Sequence, residues 1–151
     1  MDERISRSEM LMRVSEVIAL RGTCQRAQVG AVLAQDGRII ATGYNGSPAG
    51  MPHCIDIGCE VVDGHCVRTA HAEAGAIAYA ARKGLALEGA TLYVTHTPCE
   101  TCAKLIINAG VIEVVVGTPY GEGNGPTLLR EAGIALWYDG GALFPEEVET
   151  E

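Results

Sequence analysis

The chain has 151 residues, 48% hydrophobic and 20% charged, a composition that suits one compact domain and excludes a disordered or collagen-like chain. A formal net charge of -8 argues against a broad, sequence-independent grip on nucleic acid. No apolar run is long enough to span a bilayer and no basic-then-apolar leader opens the sequence, so the expectation is a single cytoplasmic domain over 1–151 with no membrane partner.

Ser6-Arg7-Ser8-Glu9 matches a capping box, with Ile5 and Met10 placed to staple it. Met10, Val14, Val17 and Ile18 continue as the apolar stripe of a helix ending near Arg21-Gly22. Gln28 to Gln35 is apolar on both parities, as in a strand covered on both faces. Asp36-Gly37 predicts a hairpin turn into an antiparallel strand over Arg38 to Gly43. Tyr44 to Arg68, rich in Gly, Pro, Cys and His without a sustained period, reads as a loop, and one this long is usually functional or held by something. A helix is predicted from about Ala70 to Lys83, ended by Gly84, and a buried strand over Ala90 to Thr95. Thr97-Pro98 opens another helix running to Ala109, with Gly110 as its left-handed terminator. Val111 to Gly117 reads as a strand, Thr118 to Pro126 as a Gly-rich loop, Thr127 to Ala132 as a short helix and Ile134 to Tyr138 as the last strand. The acidic tail, about 146–151, reads as a frayed, solvated end. This order predicts a three-layer α/β/α sandwich with a mixed five-stranded sheet.

Six cysteines without an export signal read as ligands or catalytic groups rather than disulfides. Cys99 and Cys102 form a C-x-x-C after Pro98. Three apart in a helical first turn they share a face, where unpaired N–H groups and the helix dipole favour thiolates. With His71 they make three ligands for Zn²⁺ and leave the fourth tetrahedral position to water, the arrangement of a catalytic site. Glu73, two residues beyond His71 and roughly 200° round an ideal helix, is poorly placed to share the metal. It can instead carry a proton from that water to a nitrogen heterocycle and its leaving amine. The whole pattern, His-x-Glu…Pro-Cys-x-x-Cys, is that of zinc nucleobase deaminases. Asn45, after a strand end, can contact a ligand or simply shape the Asn45-Gly46 turn.

From about Arg21 to Trp137 the chain resembles the deoxycytidylate (dCMP) deaminases. The resemblance is carried by Arg21-Gly22-Thr23-Cys24, Val29-Gly30-Ala31-Val32, Gly43-Tyr44-Asn45-Gly46-Ser47-Pro48, His53-Cys54-Ile55-Asp56, His65-Cys66-Val67-Arg68-Thr69 and the His-Ala-Glu and Pro-Cys motifs. It implies hydrolysis of dCMP to dUMP and ammonia, feeding thymidylate synthesis, in a protein usually assembled into hexamers. It further implies that Asn45 bonds the sugar or base edge, that Tyr120 lies at the substrate and that Arg82 meets a phosphate or a neighbouring subunit. In the family, the segment holding Gly43, Tyr44, Asn45 and Gly46 also contributes to a site where dCTP activates and dTTP inhibits, with Mg²⁺ accompanying the triphosphate. Some members hold a second, structural zinc with residues matching Cys24 and Cys54; here Cys59, Cys66 and His65 are the candidates for its remaining ligands. The cations available to a phosphate are Arg21, Arg26, Arg68, Arg82 and Lys104. One departure stands out: Gly75 occupies the Asn position of the family's His-Ala-Glu-x-Asn-Ala-Ile, as drift or as a change in which nucleotide is accepted. The competing readings are deamination of 5-substituted dCMP, dCTP or another nucleobase, and a non-catalytic zinc-stabilised nucleotide sensor. Retention of Glu73 counts against the sensor, because a structural zinc needs no proton shuttle.

Overall fold

The structure, a computed structural model, describes residues 4–119 and 123–139 and the backbone of 146–147. Tyr120 and most of the acidic tail lie outside the described residues. The Ser6 hydroxyl accepts the Glu9 N–H at 3.0 Å and so caps helix α1, Arg7–Ala19. The helix ends two residues before the expected Arg21. Its buried face also differs from the predicted stripe: Leu11, Met12, Ser15 and Ala19 are buried, whereas Val17 is 66% exposed. The cause is a close approach of strand β1, Gly30–Gln35. A Cβ on Gly30 would lie 2.0 Å from the Ser15 carbonyl oxygen, so the helix backbone rests directly on the start of that strand at the small residues Ser15 and Ala19, while Leu11 and Met12 pack on the residues that follow.

Asp36 and Gly37, at φ 51° and 71°, turn β1 back into β2, Arg38–Tyr44, as an antiparallel hairpin with a bulge between Leu33 and Ala34. The segment predicted as one long loop contains α2 (Cys54–Ile57) and a small hairpin of β3 (Val61–Val62) and β4 (His65–Cys66). Elements of two to four residues are too short to leave a hydrophobic period. There follow α3 (Ala72–Lys83), β5 (Thr91–His96), α4 (Glu100–Asn108), β6 (Glu113–Thr118), α5 (Gly125–Glu131), β7 (Ala135–Tyr138) and β8 (Glu146–Glu147). Gly110 takes φ 84° just past α4, as its position predicts.

The main sheet runs β2-β1-β5-β6-β7-β8, with β5, β6 and β7 parallel and the other neighbours antiparallel. It is the predicted mixed five-stranded sheet with a two-residue strand added at one edge. Leu11 and Met12 of α1 pack on Val32, Ala34, Tyr93 and Val115. The opposite face joins Ala31, Leu33, Leu92, Val94, Val114 and Val116 to Ala76 and Ala80 of α3, Ala103 and Ile106 of α4 and Leu129 of α5. Val114, Val115 and Val116 are therefore buried in alternation on two faces, which explains an unbroken apolar run. Among the described residues no helix is long and apolar enough to cross a membrane. Gly43 lets α3 rest directly on β2, since a Cβ there would stand 2.1 Å from the Ala72 carbonyl oxygen. Helix α4 starts four residues beyond the C-terminal end of parallel strand β5, the edge at which α/β sheets bind ligands.

Candidate active site

Both chemistry-bearing helices start later than the sequence suggests, and their caps carry two of the three candidate metal ligands. His71 is the N-cap of α3 and Cys99 the N-cap of α4, each with extended backbone (φ -69°, ψ 154° and φ -72°, ψ 171°). The α3 helix therefore begins at Ala72 rather than Ala70, and α4 at Glu100 rather than Thr97-Pro98. Pro98 accordingly precedes the cap instead of occupying the first turn. The physical reason is local at α4: the Cys99 sulfur accepts the Cys102 N–H at 3.4 Å, the bond that defines a cap residue. With His71 off the helix, the angular argument separating it from Glu73 loses its basis. Position separates them instead. His71 Nδ1 and the Sγ atoms of Cys99 and Cys102 lie within 4.8 Å of one another, a group that does not include Glu73.

His71 Nδ1 stands 3.5 Å from Cys99 Sγ and 3.4 Å from Cys102 Sγ. Zinc bonded tetrahedrally to a nitrogen and a sulfur would hold those atoms about 3.6 Å apart, so these three residues fit the metal. Hydrogen bonds from the Cys102 and His71 side chains, with the Cys102 N–H, pull the Cys99 thiol down to about 3. The same contact with Cys99, together with burial, pushes Cys102 up. The Cys99 thiolate raises His71. Glu73 is 4% exposed, and burial pushes its carboxyl up to about 7 against its own backbone N–H, the His71 charge and a hydrogen bond from the Cys102 thiol. Such a carboxyl is poised to hold or release a proton near neutrality.

Cys24, Cys54, Cys59 and Cys66 form a second group, with all four sulfurs within 4.8 Å of one another. Cys24 and Cys59 are 3.6 Å apart, as are Cys54 and Cys66, and none is in a disulfide. Sulfurs on a tetrahedral zinc would stand about 3.8 Å apart, so this set fits a closed, structural site. His65, the other candidate ligand, lies outside the group. Burial pushes Cys54 up to about 12. At Cys66 burial acts the same way but is outweighed by backbone donors, chiefly Arg68, and by Cys54, which bring the thiol down to about 6.

A cavity of about 760 Å³ joins the two groups: Cys24 and Cys66 line it together with His71, Glu73 and Cys99. Asn45 lines it too, but its amide is committed to the fold, accepting the Val29 N–H at 2.7 Å and donating to the Ala27 carbonyl at 2.6 Å. Gly46 pairs with Ala70 through 3.2 and 2.9 Å backbone bonds. Gly43, Tyr44 and Gly46 are not in the cavity wall, and neither is Gly75. Arg82 is exposed in the last turn of α3, about 16 Å of helix rise from His71. Tyr120 lies outside the described residues. Among the wall residues that went unmarked in the sequence are His96, whose Nδ1 pairs with Thr95 Oγ1 at 2.8 Å, and Gly64 of the small hairpin. His96 stands two residues before Pro98, and that adjacency to the metal motif is the signal that could have marked it.

The zinc-binding-region model of the cytidine and deoxycytidylate deaminases matches residues 5–118. ComE operon protein 2 of Bacillus subtilis is 49% identical over 78% of this chain and 62% of its own, so the chain spans less than two thirds of that relative. The deoxycytidylate deaminase of Enterobacteria phage T4 is 34% identical, with 87% of this chain and 89% of that protein covered. The crystal structure of dCMP deaminase from the cyanophage S-TIM5 in complex with dCMP and dUMP superimposes with a TM-score of 0.81 at 30% identity, covering 91% of this chain and 99% of that one.

Proposed function

We propose that this chain, which belongs to the cytidine and deoxycytidylate deaminase family, hydrolyses dCMP to dUMP and ammonia. The observation that carries the reading is the buried Glu73 carboxyl beside His71, Cys99 and Cys102, in a cavity whose volume suits a nucleotide. A Zn²⁺ held by those three residues supplies Lewis acidity toward water. Glu73 takes one proton from the water that adds to C4 of the cytosine and delivers it to N3, then takes the second from the new C4 hydroxyl and delivers it to the leaving amine as the C4 carbonyl forms. In the net reaction a C4–O bond forms, the C4–N bond breaks and ammonia departs. Asn45 positions the cavity wall by tying the 27–29 backbone to β2. A second Zn²⁺ on Cys24, Cys54, Cys59 and Cys66 closes the 44–68 segment, and the four free thiols at short range support it.

The same reading includes assembly into hexamers and control by dCTP and dTTP through Gly43–Pro48, both supported by the sequence resemblance. Ammonia release from zinc-loaded protein, measured with dCMP, CMP, dCTP and 5-methyl-dCMP, tests the assignment. The expected result is fastest turnover of dCMP; no ammonia from any of the four would overturn it.

A further inference from the structure

Two amide side chains line the cavity, Asn45 and Asn124. The first is committed to the fold through Val29 at 2.7 Å and Ala27 at 2.6 Å. The second is not: the Asn124 side chain does not cap its own helix, α5, and among the described residues its amide forms no hydrogen bond. Local chemistry explains this. A cap side chain accepts the N–H of the second or third helical residue. The second residue of α5 is Pro126, which has no N–H to give. The Asn124 backbone, at φ -91° and ψ 2°, also departs from the extended form seen at His71 and Cys99, so its side chain is not laid over the first turn.

The position of Asn124 is nonetheless fixed. The next residue, Gly125, is buried, and a Cβ on it would stand 2.2 Å from the Pro98 carbonyl oxygen and 3.0 Å from the Cys99 carbonyl carbon. The start of α5 therefore rests directly on the Pro98-Cys99 backbone. The Leu128 N–H donates to the Asn124 carbonyl at 3.0 Å and ties the residue to the helix. Two polar wall residues thus flank the C-x-x-C: Glu73, hydrogen-bonded by the Cys102 thiol, and Asn124, beside Cys99. The neighbouring Glu100 carboxyl pairs with Lys104 at 3.2 Å. In the deaminase reading C4 of the cytosine meets this group, and Glu73 serves N3 and carries the protons. The amino group on C4 remains, a donor in need of an acceptor that is not already engaged. An amide oxygen meets that need and, being neutral, does not compete with Glu73 for the proton.

We propose that Asn124 is a specificity-determining residue whose side-chain oxygen accepts a hydrogen bond from the 4-amino group of the cytosine and holds that nitrogen until it leaves as ammonia. The inference deepens the deaminase reading and rests on it. The nitrogen gains positive charge as it takes its proton from Glu73, which strengthens the contact during turnover. Zinc-loaded Asn124→Ala should therefore show kcat/KM for dCMP reduced about 10-fold with Tm unchanged. Its affinity for dUMP, which carries no amino group, should stay at the wild-type value by calorimetric titration. Asn124→Asp keeps an acceptor oxygen and should recover part of the loss, whereas Asn124→Leu, similar in size, should not. Unchanged kcat/KM in Asn124→Ala, or an equal loss in dCMP turnover and dUMP affinity, would overturn the proposal, as would full activity in Asn124→Leu. Failure of the parent reading is visible separately, as no ammonia from dCMP with wild-type protein. Binding of dCMP and of dUMP is then compared: Asn124→Ala weakening dCMP alone supports the contact, and weakening of both or of neither overturns it.

Discussion

His71 Nδ1 and Cys102 Sγ, 31 residues apart in sequence, stand 3.4 Å apart at the starts of two different helices. A cap residue is the last one whose backbone is free of the helix, so its side chain can be aimed without disturbing the turns that follow. Placing His71 and Cys99 at the caps brings three candidate ligands together while Ala76 and Ala80 of α3 and Ala103 and Ile106 of α4 keep their packing on the sheet.

Metal analysis should accordingly find close to two zincs per chain. Cys99→Ala or Cys102→Ala should leave one, and Cys54→Ala should leave the other. Because the four-cysteine group closes a segment with little apolar core, Cys54→Ala should also lower Tm, by about 10 °C. A firm wild-type value of one zinc would remove the second site.

Replacing Glu73 by Ala should reduce kcat at least about 100-fold with zinc content unchanged, since the carboxyl lies outside the ligand group. Loss of the metal in that variant, seen by elemental analysis, would give Glu73 a ligand's role instead.

Asn45→Ala removes both the acceptor of the Val29 N–H and the donor to the Ala27 carbonyl, from a residue only 6% exposed. A stability loss of about 2–3 kcal/mol is expected, and a fall in Tm of about 5–10 °C by thermal unfolding. A variant as stable as wild type would show that the amide's role is confined to the ligand.

Two glycines should respond oppositely. Gly43→Ala forces a Cβ against the Ala72 carbonyl and should cost about 3 kcal/mol or more, visible as lost yield or a depressed unfolding midpoint. At Gly75 the nearest atom to an added Cβ is the Tyr44 carbonyl oxygen at 3.9 Å, so Gly75→Ala should gain up to about 1 kcal/mol from helix propensity. Gly75→Asn should leave the order of preference among dCMP, CMP, dCTP and 5-methyl-dCMP unaltered, because the position is outside the cavity wall.

Regulation through Gly43–Pro48 is read from velocity against dCMP with and without dCTP and dTTP in the presence of Mg²⁺. Sigmoidal curves shifted in opposite directions by the two nucleotides are expected. Curves moved only by simple competition would remove the regulatory reading and leave the deaminase assignment in place.

Reading the amino-acid sequence was enough to mark the residues able to hold a metal, the separate carboxyl at Glu73 and the succession of the five long strands along the chain. Each of these is written in local spacing: a C-x-x-C, an offset of two from His71, an apolar run bounded by turns. What depended on distant contacts was decided only in three dimensions. The face that α1 buries follows from the approach of Gly30, a residue from another element. The choice of Cys59 and Cys66 over His65 beside Cys24 and Cys54 follows from how the small hairpin folds back. Arg26 is one of several cations in the sequence, and only the fold places it in the cavity wall, where it donates to Gly64 from 38 residues away. Local spacing encodes which groups can react, whereas the energy of close packing between elements remote in sequence decides where each of them points.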